Sequence, residues 1–229
     1  MNILISGKYY FLFIILSLAL PAAIISAQED VIHIARFDQT RSVAFSGWQI
    51  KEWKGRADVS IINTDEVGSV LALRSKGTST AIYKDIELDI KDIPYLNWQW
   101  KVTELPEGGD VRNSSTDDQA AQIYVIFPKF PKFPSQINSR VIGYIWDTNA
   151  PRGSIVTSTK FSKTKYIVLK SGQNGLGKWF AEKRNIYEDY KMLFNEEPPK
   201  AGKISVMIDS DDTKSQAESF FGDIYLSAN

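Results

Sequence analysis

The sequence has 229 residues, with 27 basic and 27 acidic side chains and a formal net charge of zero at neutral pH. Without an excess of lysine and arginine to neutralise phosphates, no nucleic-acid partner is expected. Cysteine is absent and His33 is the only histidine. These counts exclude a disulfide framework, a Cys–His dyad and zinc sites built on several histidines or thiolates, and a Ser–His–Asp triad would have to use His33.

Residues 1–27 are organised like a secretory signal peptide. Lys8 is the only charged residue in them, and an apolar run over residues 9–20 is followed by a proline and small residues. This order predicts cleavage after Ala27 and export, with the periplasm as the first expectation and secretion as the second. The alternative, an uncleaved anchor, is disfavoured because a membrane-spanning helix needs about 20 apolar residues. An exported chain without cysteine fits a bacterial envelope.

After cleavage, the mature chain carries 26 basic and 27 acidic side chains, a net charge of −1, and no membrane span is expected in it. Its length fits one domain over residues 28–229. The clearest strand covers residues 96–102, where apolar Leu96, Trp98 and Trp100 alternate with polar residues, as in a half-buried antiparallel strand. In chain order, strands are predicted over residues 70–73, 96–102, 123–127, 141–146, 166–169, 204–208 and 223–226. Many short strands separated by turns predict a mostly β fold, an antiparallel β-sandwich of the jelly-roll type.

One segment, near residues 179–194, departs from this pattern. Its apolar residues Trp179, Ile186, Tyr190 and Leu193 recur at helical spacing, and two prolines follow it. We therefore predict a single α-helix over residues 179–194 that caps one end or face of the sandwich.

Several motifs follow one another in an order that resembles the domain-of-unknown-function family 3047 of exported bacterial proteins. They cover residues 94–100, 117–125, 143–146, 179–190, 207–213 and 222–224. The resemblance extends over roughly residues 45–227. It implies a jelly-roll sandwich similar to galactose-binding-like and lectin-like domains, and it implies no established activity. This chain has Gln122 where the family pattern leads us to expect a basic residue.

Two acidic motifs are candidate binding sites. Asp117 and Asp118 lead into a predicted central strand, where Asp118 could bind a ligand or cation; the alternative is that the pair caps a loop through backbone N–H groups. Asp209, Asp211 and Asp212 follow another strand. Because Ca²⁺ takes six to eight oxygen ligands, we predict these three as metal ligands, with calcium as the possible cofactor. The alternative is a tight acidic turn.

The six tryptophans and ten tyrosines suit sugar recognition, in which an aromatic face packs on a sugar ring, although large aromatic side chains more often fill cores. Trp146 and Trp179 are the candidates for the rim of a pocket. Arg184 is a further ligand-binding candidate if it points into the sandwich to meet Asp118 or Asp223, and a buried structural ion pair is its alternative.

These features favour a non-catalytic β-sandwich module that binds a glycan or another cell-envelope ligand, and they predict no catalytic residues. Two alternatives remain open. The first is a carboxylate-dependent glycoside hydrolase or polysaccharide lyase, which needs two carboxyl groups about 5–10 Å apart across a cleft. The second is a structural or assembly protein of the envelope that acts through protein contacts.

Overall fold

The computed structural model describes residues 31–38, 47–128 and 138–229, so the predicted signal peptide lies outside the described residues. In the described ranges the chain forms thirteen strands and one helix. They are β1 (Val31–Ala35), β2 (Gln49–Lys54), β3 (Asp58–Thr64), β4 (Gly68–Lys76), β5 (Ser79–Leu88), β6 (Tyr95–Glu104), β7 (Ala121–Phe127), β8 (Arg140–Asp147), β9 (Ile155–Thr157), β10 (Thr164–Ser171), β11 (Phe180–Asn185), α1 (Ile186–Phe194), β12 (Ala201–Asp209) and β13 (Gln216–Ser227). None of the helical structure in these ranges is long and apolar enough to cross a membrane.

The strands form two sheets. Sheet A has the order β11-β6-β13-β4-β3, and β1 pairs with the last part of β13. Sheet B has the order β2-β5-β12-β7-β8-β10-β9. Among the described strands, neighbours are antiparallel except for β8 and β10, which run parallel. A parallel pair needs a crossover connection, and residues 148–163, which include β9, provide it.

The two sheets pack face to face through large aromatic side chains. Trp98 and Trp100 of β6 are buried and share the inner face of sheet A. Their ring centroids lie 5.5 Å from Tyr144 and 6.3 Å from Trp146 respectively, both on β8 of sheet B. These contacts confirm the predicted β-sandwich, and each of the seven predicted strands lies within an observed one.

The helix begins at Ile186, so the prediction of a helix from residue 179 was wrong for its first half. Residues 180–185 form β11, which pairs antiparallel with β6 at the edge of sheet A. Asn185 separates the two elements, because its side chain accepts a hydrogen bond from the backbone N–H of Glu188 and so caps the helix N-terminus. The helix packs on the end of sheet B where β7 finishes, with the Tyr190 ring 4.7 Å from that of Phe127. It therefore caps one end of the sandwich, as predicted.

Candidate functional site

The acidic motifs meet at the end of sheet B opposite the helix. Strands β7 and β12 are antiparallel neighbours, so the residues before β7 lie beside the residues that end β12. Carboxylate oxygens of Asp118, Asp209 and Asp211 lie within 4.8 Å of one another there, and we call these three residues the acidic cluster. The fold thus brings together residues about ninety positions apart in the sequence.

Asp118 is fully buried and anchors the turn after β12. Its carboxylate accepts hydrogen bonds from the backbone N–H groups of Asp212, at 3.2 Å, and Thr213, at 2.6 Å. This is the loop-capping role that the sequence offered as the alternative to ligand binding.

Asp209 and Asp211 are hydrogen-bonded to each other, and their pKa values are shifted in opposite directions. Burial, the hydrogen bond with Asp211 and the charge of Asp118 together raise the pKa of Asp209 to about 10. Partial burial opposes ionisation of Asp211, but its bonds to Asp209 and Lys54 outweigh burial and lower the pKa of Asp211. The Lys54 ammonium lies 3.0 Å from the Asp211 carboxylate. Near neutral pH the pair therefore holds one proton, which resides on Asp209.

Asp212 lies at the rim of the cluster, where it binds Lys160. The same ammonium lies 3.9 Å from Asp117, whose pKa burial raises to about 6. The three carboxylates of the acidic cluster are the donor type that Ca²⁺ prefers, whereas Asp212 contacts a lysine. Calcium at Asp209, Asp211 and Asp212 stays a prediction.

Trp146 lies in the core, so the expectation that it lines a pocket rim was wrong. Its side chain is 0% exposed. Its ring packs against those of Trp100 and Phe180, and its indole N–H donates to the carbonyl oxygen of Gly172 at 3.0 Å. The cause is its position on the inner face of β8, which is flanked by strands on both sides.

Arg184 forms an ion pair with Asp189. The expected contact with Asp118 or Asp223 is not formed. The Arg184 Nε lies 3.0 Å from the Asp189 carboxylate, which also accepts a hydrogen bond from the Tyr144 hydroxyl at 2.7 Å. Burial and the Asp189 charge raise the pKa of Tyr144. Because Arg184 lies on β11 and not on the helix, helical spacing did not apply to it, and its interaction is a structural ion pair.

A groove of about 430 Å³ lies on the outer face of sheet A, and we call it the sheet A groove. Polar and apolar groups both contribute to its lining. Its lining residues include Asp38, Ser69, Asn97, Gln99, Lys183, Gly222, Asp223 and Tyr225. The local sequence gave no signal for this groove, because its lining comes from distant strands.

Trp179 stands beside this groove on the same sheet face. It packs on an outer cluster of Val70, Ala72 and Phe220. Its indole N–H donates to Glu66 at 2.7 Å, and Glu66 also binds the Lys101 ammonium at 2.9 Å. Glu66 belongs to the turn between β3 and β4, so these bonds fasten that turn to the sheet next to the groove residues 67–69.

The carboxyl groups with raised pKa values lie elsewhere. Asp117 and Asp209 belong to the acidic end of sheet B, and burial raises the pKa of Asp147, which accepts backbone hydrogen bonds from Val111 and Ala150. None of the three lines the sheet A groove.

The fold and the groove define a two-sheet β-sandwich protein with an open polar groove on one outer face. The chain belongs to the family described as protein of unknown function (DUF3047), whose model matches residues 46–225. This match confirms the resemblance drawn from the motifs. No curated protein matches the chain.

Several solved structures share the general architecture. The family 30 carbohydrate-binding module of a Clostridium thermocellum cellulosomal cellulase is 11% identical, with 86% of this chain and 96% of that chain covered and a TM-score of 0.47. The family 11 module of cellulase Lic26A-Cel5E from the same organism is 8% identical, with 86% and 94% covered and a TM-score of 0.43. A cellulase derived from Rhodothermus marinus Cel12A is 12% identical, with 86% and 100% covered and a TM-score of 0.45. At such low similarity, these structures carry no argument about a ligand or an activity.

Proposed function

We propose that the protein is a non-catalytic module that binds a glycan in the sheet A groove. The observation that carries the proposal is the lining of the groove, in which amide, hydroxyl and carboxylate groups stand on the outer sheet face next to Trp179. A sugar ring presents hydroxyl groups at its edge and an apolar face. Polar side chains and a neighbouring aromatic ring complement these two surfaces.

The indole of Trp179 is held in place before any ligand arrives. Its N–H bond to Glu66 fixes one edge of the ring, and the Lys101 ammonium lies 5.1 Å from the ring centroid. A side chain that is already ordered loses little conformational entropy on binding. This arrangement favours Trp179 as a contact at the border of the groove.

The test is isothermal titration calorimetry with a panel of neutral oligosaccharides. We expect saturable binding that falls by about tenfold or more, or about 1.4 kcal/mol, in Trp179→Ala and in Gln99→Ala. The matched control is Trp53→Ala, because Trp53 is 62% exposed on β2 at the edge of the other sheet. Equal losses in all three variants, or none in the two groove variants, would contradict the assigned site.

The titration is repeated with Ca²⁺ and with a chelator. Loss of binding in the chelator, together with restoration by Ca²⁺, would support a functional cation at the acidic cluster. Equal affinities in both conditions would support a purely structural role for Asp118, Asp209 and Asp211.

We also propose that the protein is exported to the cell envelope, on the strength of its N-terminal signal pattern. Cell fractionation should recover a shortened chain with the periplasmic fraction, and full-length protein in the cytoplasm would contradict the proposal. A hydrolase or lyase is not proposed, because the carboxyl groups with raised pKa values lie outside the groove. Absence of binding across the panel would favour the envelope assembly role.

A further inference from the structure

The sheet A groove runs across the strands. Its lining residues come from four adjacent strands, β11, β6, β13 and β4, in the order in which these strands lie in the sheet. Neighbouring strands are about 4.8 Å apart, so three spacings span about 14 Å. This distance exceeds the width of a single sugar ring.

The middle of the groove is kept open by Gly222. It lies where β13 carries a bulge, since the pairing register with β6 shifts between Phe221 and Ile224. A Cβ atom at position 222 would lie 3.2 Å from the Cβ atom of Gln99. Gly222 therefore adds no side chain to the groove, and the exposed Gln99 side chain lies beside it.

The charge of the groove is negative. Among the described residues that line it, Asp38 and Asp223 are acidic and Lys183 is basic. The Glu182 carboxylate faces the inner side of the sheet, where it accepts a hydrogen bond from the Trp100 indole N–H. Asp223 is held in position by a hydrogen bond from the backbone N–H of Phe37. Carboxylates on a ligand would face like charges there, which oppose binding.

We infer that the ligand is an uncharged polysaccharide chain that lies across the strands of sheet A, rather than a single sugar or an acidic polysaccharide. The inference rests on the proposed function and narrows it to a class of ligand. Successive sugar units would pass from β11 across Gln99 and Gly222 toward the turn between β3 and β4.

The experiment measures affinity against chain length and charge. Cello-, xylo-, manno- and chito-oligosaccharides of one to six units are titrated into the purified protein, together with oligogalacturonates of the same lengths. For at least one neutral series we expect the Kd to fall by about tenfold or more from one unit to four and then to level off. The oligogalacturonates should bind about tenfold or more weakly than that series.

Two variants test the two parts of the inference. Gly222→Leu should remove most of the gain with chain length, because its side chain would divide the groove, and circular dichroism checks that it folds. Asp38→Asn removes an exposed negative charge. It should reduce the difference in Kd between neutral oligosaccharides and oligogalacturonates.

The outcomes separate the inference from the proposed function. A monosaccharide that binds as tightly as the hexamer, or a uronate chain that binds as tightly as the neutral one, overturns the inference while glycan binding stands. Failure of every sugar to bind overturns both.

Discussion

At the level of single residues, the proton shared by Asp209 and Asp211 makes stability depend on pH. The pKa of Asp209 is about 10 in the folded protein and about 3.9 in an unfolded chain. Between these values the folded state holds a proton that the unfolded state releases. The contribution of Asp209 to stability is thus fully present below about pH 4 and is lost as the pH rises toward 10.

Replacement of Asp209 by Asn should therefore flatten the pH dependence of stability. Asn is similar in shape to Asp and stays uncharged. The free energy of unfolding should therefore fall less between pH 7 and pH 9 in this variant than in the parent, where one proton accounts for at most about 1.4 kcal/mol per pH unit. Urea unfolding at pH 7, 8 and 9 measures this pH dependence of the free energy of unfolding. The control is Asp92→Asn, an exposed carboxylate, which should keep the parent slope. An unchanged slope in Asp209→Asn would contradict the assigned proton.

Gly143 provides a second prediction at this scale. A Cβ atom there would lie 2.7 Å from the Tyr166 ring and 2.9 Å from the Tyr124 ring, on a strand with neighbours on both sides. Gly143→Ala should cost about 1–3 kcal/mol through overpacking. Chemical denaturation measures the loss, and Ser60→Ala on the edge strand β3 should change stability by less than about 0.5 kcal/mol. If Gly143→Ala also lowered the free energy of unfolding by less than about 0.5 kcal/mol, the overpacking would be contradicted, because the two tyrosine rings would move apart easily.

The sequence identified the acidic residues but not their surroundings. Asp118, Asp209 and Asp211 were recognised because each lies beside a strand in a polar segment. Lys54 and Lys160 were missed because they reach Asp211 and Asp212 from β2 and from the loop after β9, and no local spacing reports such a contact. Trp146 was misplaced because β8 is apolar on both faces, so its pattern does not show which side points inward. Arg184 was misplaced because its segment was predicted as helix and forms β11.

At the level of secondary structure, the predicted strands were those with strong apolar patterns. The edge strands and the internal strand β5 were missed. Strand β2, for example, is exposed along its whole length, so it lacks the alternation that marks a half-buried strand. Strand β11 was read as helix because Trp179 and Ile186 happen to be seven residues apart. Its pairing with β6, a long-range interaction, decided its conformation.

The boundary between β11 and α1 depends on Asn185. Its side-chain oxygen accepts the N–H of Glu188 at 3.0 Å, so Asn185→Ala should destabilise the protein by about 1 kcal/mol. Asn185→Ser is the matched control, because serine caps helices about as well. Thermal unfolding followed by circular dichroism compares the two. Equal melting temperatures for the alanine and serine variants would show that the cap contributes nothing.

At the level of the whole molecule, one aromatic core joins the two sheets. Trp98 and Trp100 of sheet A pack directly on Tyr144 and Trp146 of sheet B, so neither sheet can expose its inner face without disrupting the other. We expect one cooperative unfolding transition. Tryptophan fluorescence and far-ultraviolet circular dichroism should give the same urea midpoint. Separate midpoints would mean that the sheets unfold independently.

The position of β13 in sheet A has a consequence for the order of events during synthesis. This strand pairs with β1, β4 and β6, yet it follows all of them in the chain. A ribosome adds about 5–20 residues per second, so for several seconds the earlier strands exist without the one that joins them. Until residues 216–227 emerge, sheet A cannot close. Before that point the strands of sheet A can pair only as separate units, β3 with β4 and β6 with β11, so the last dozen residues of the sheet complete the native sandwich.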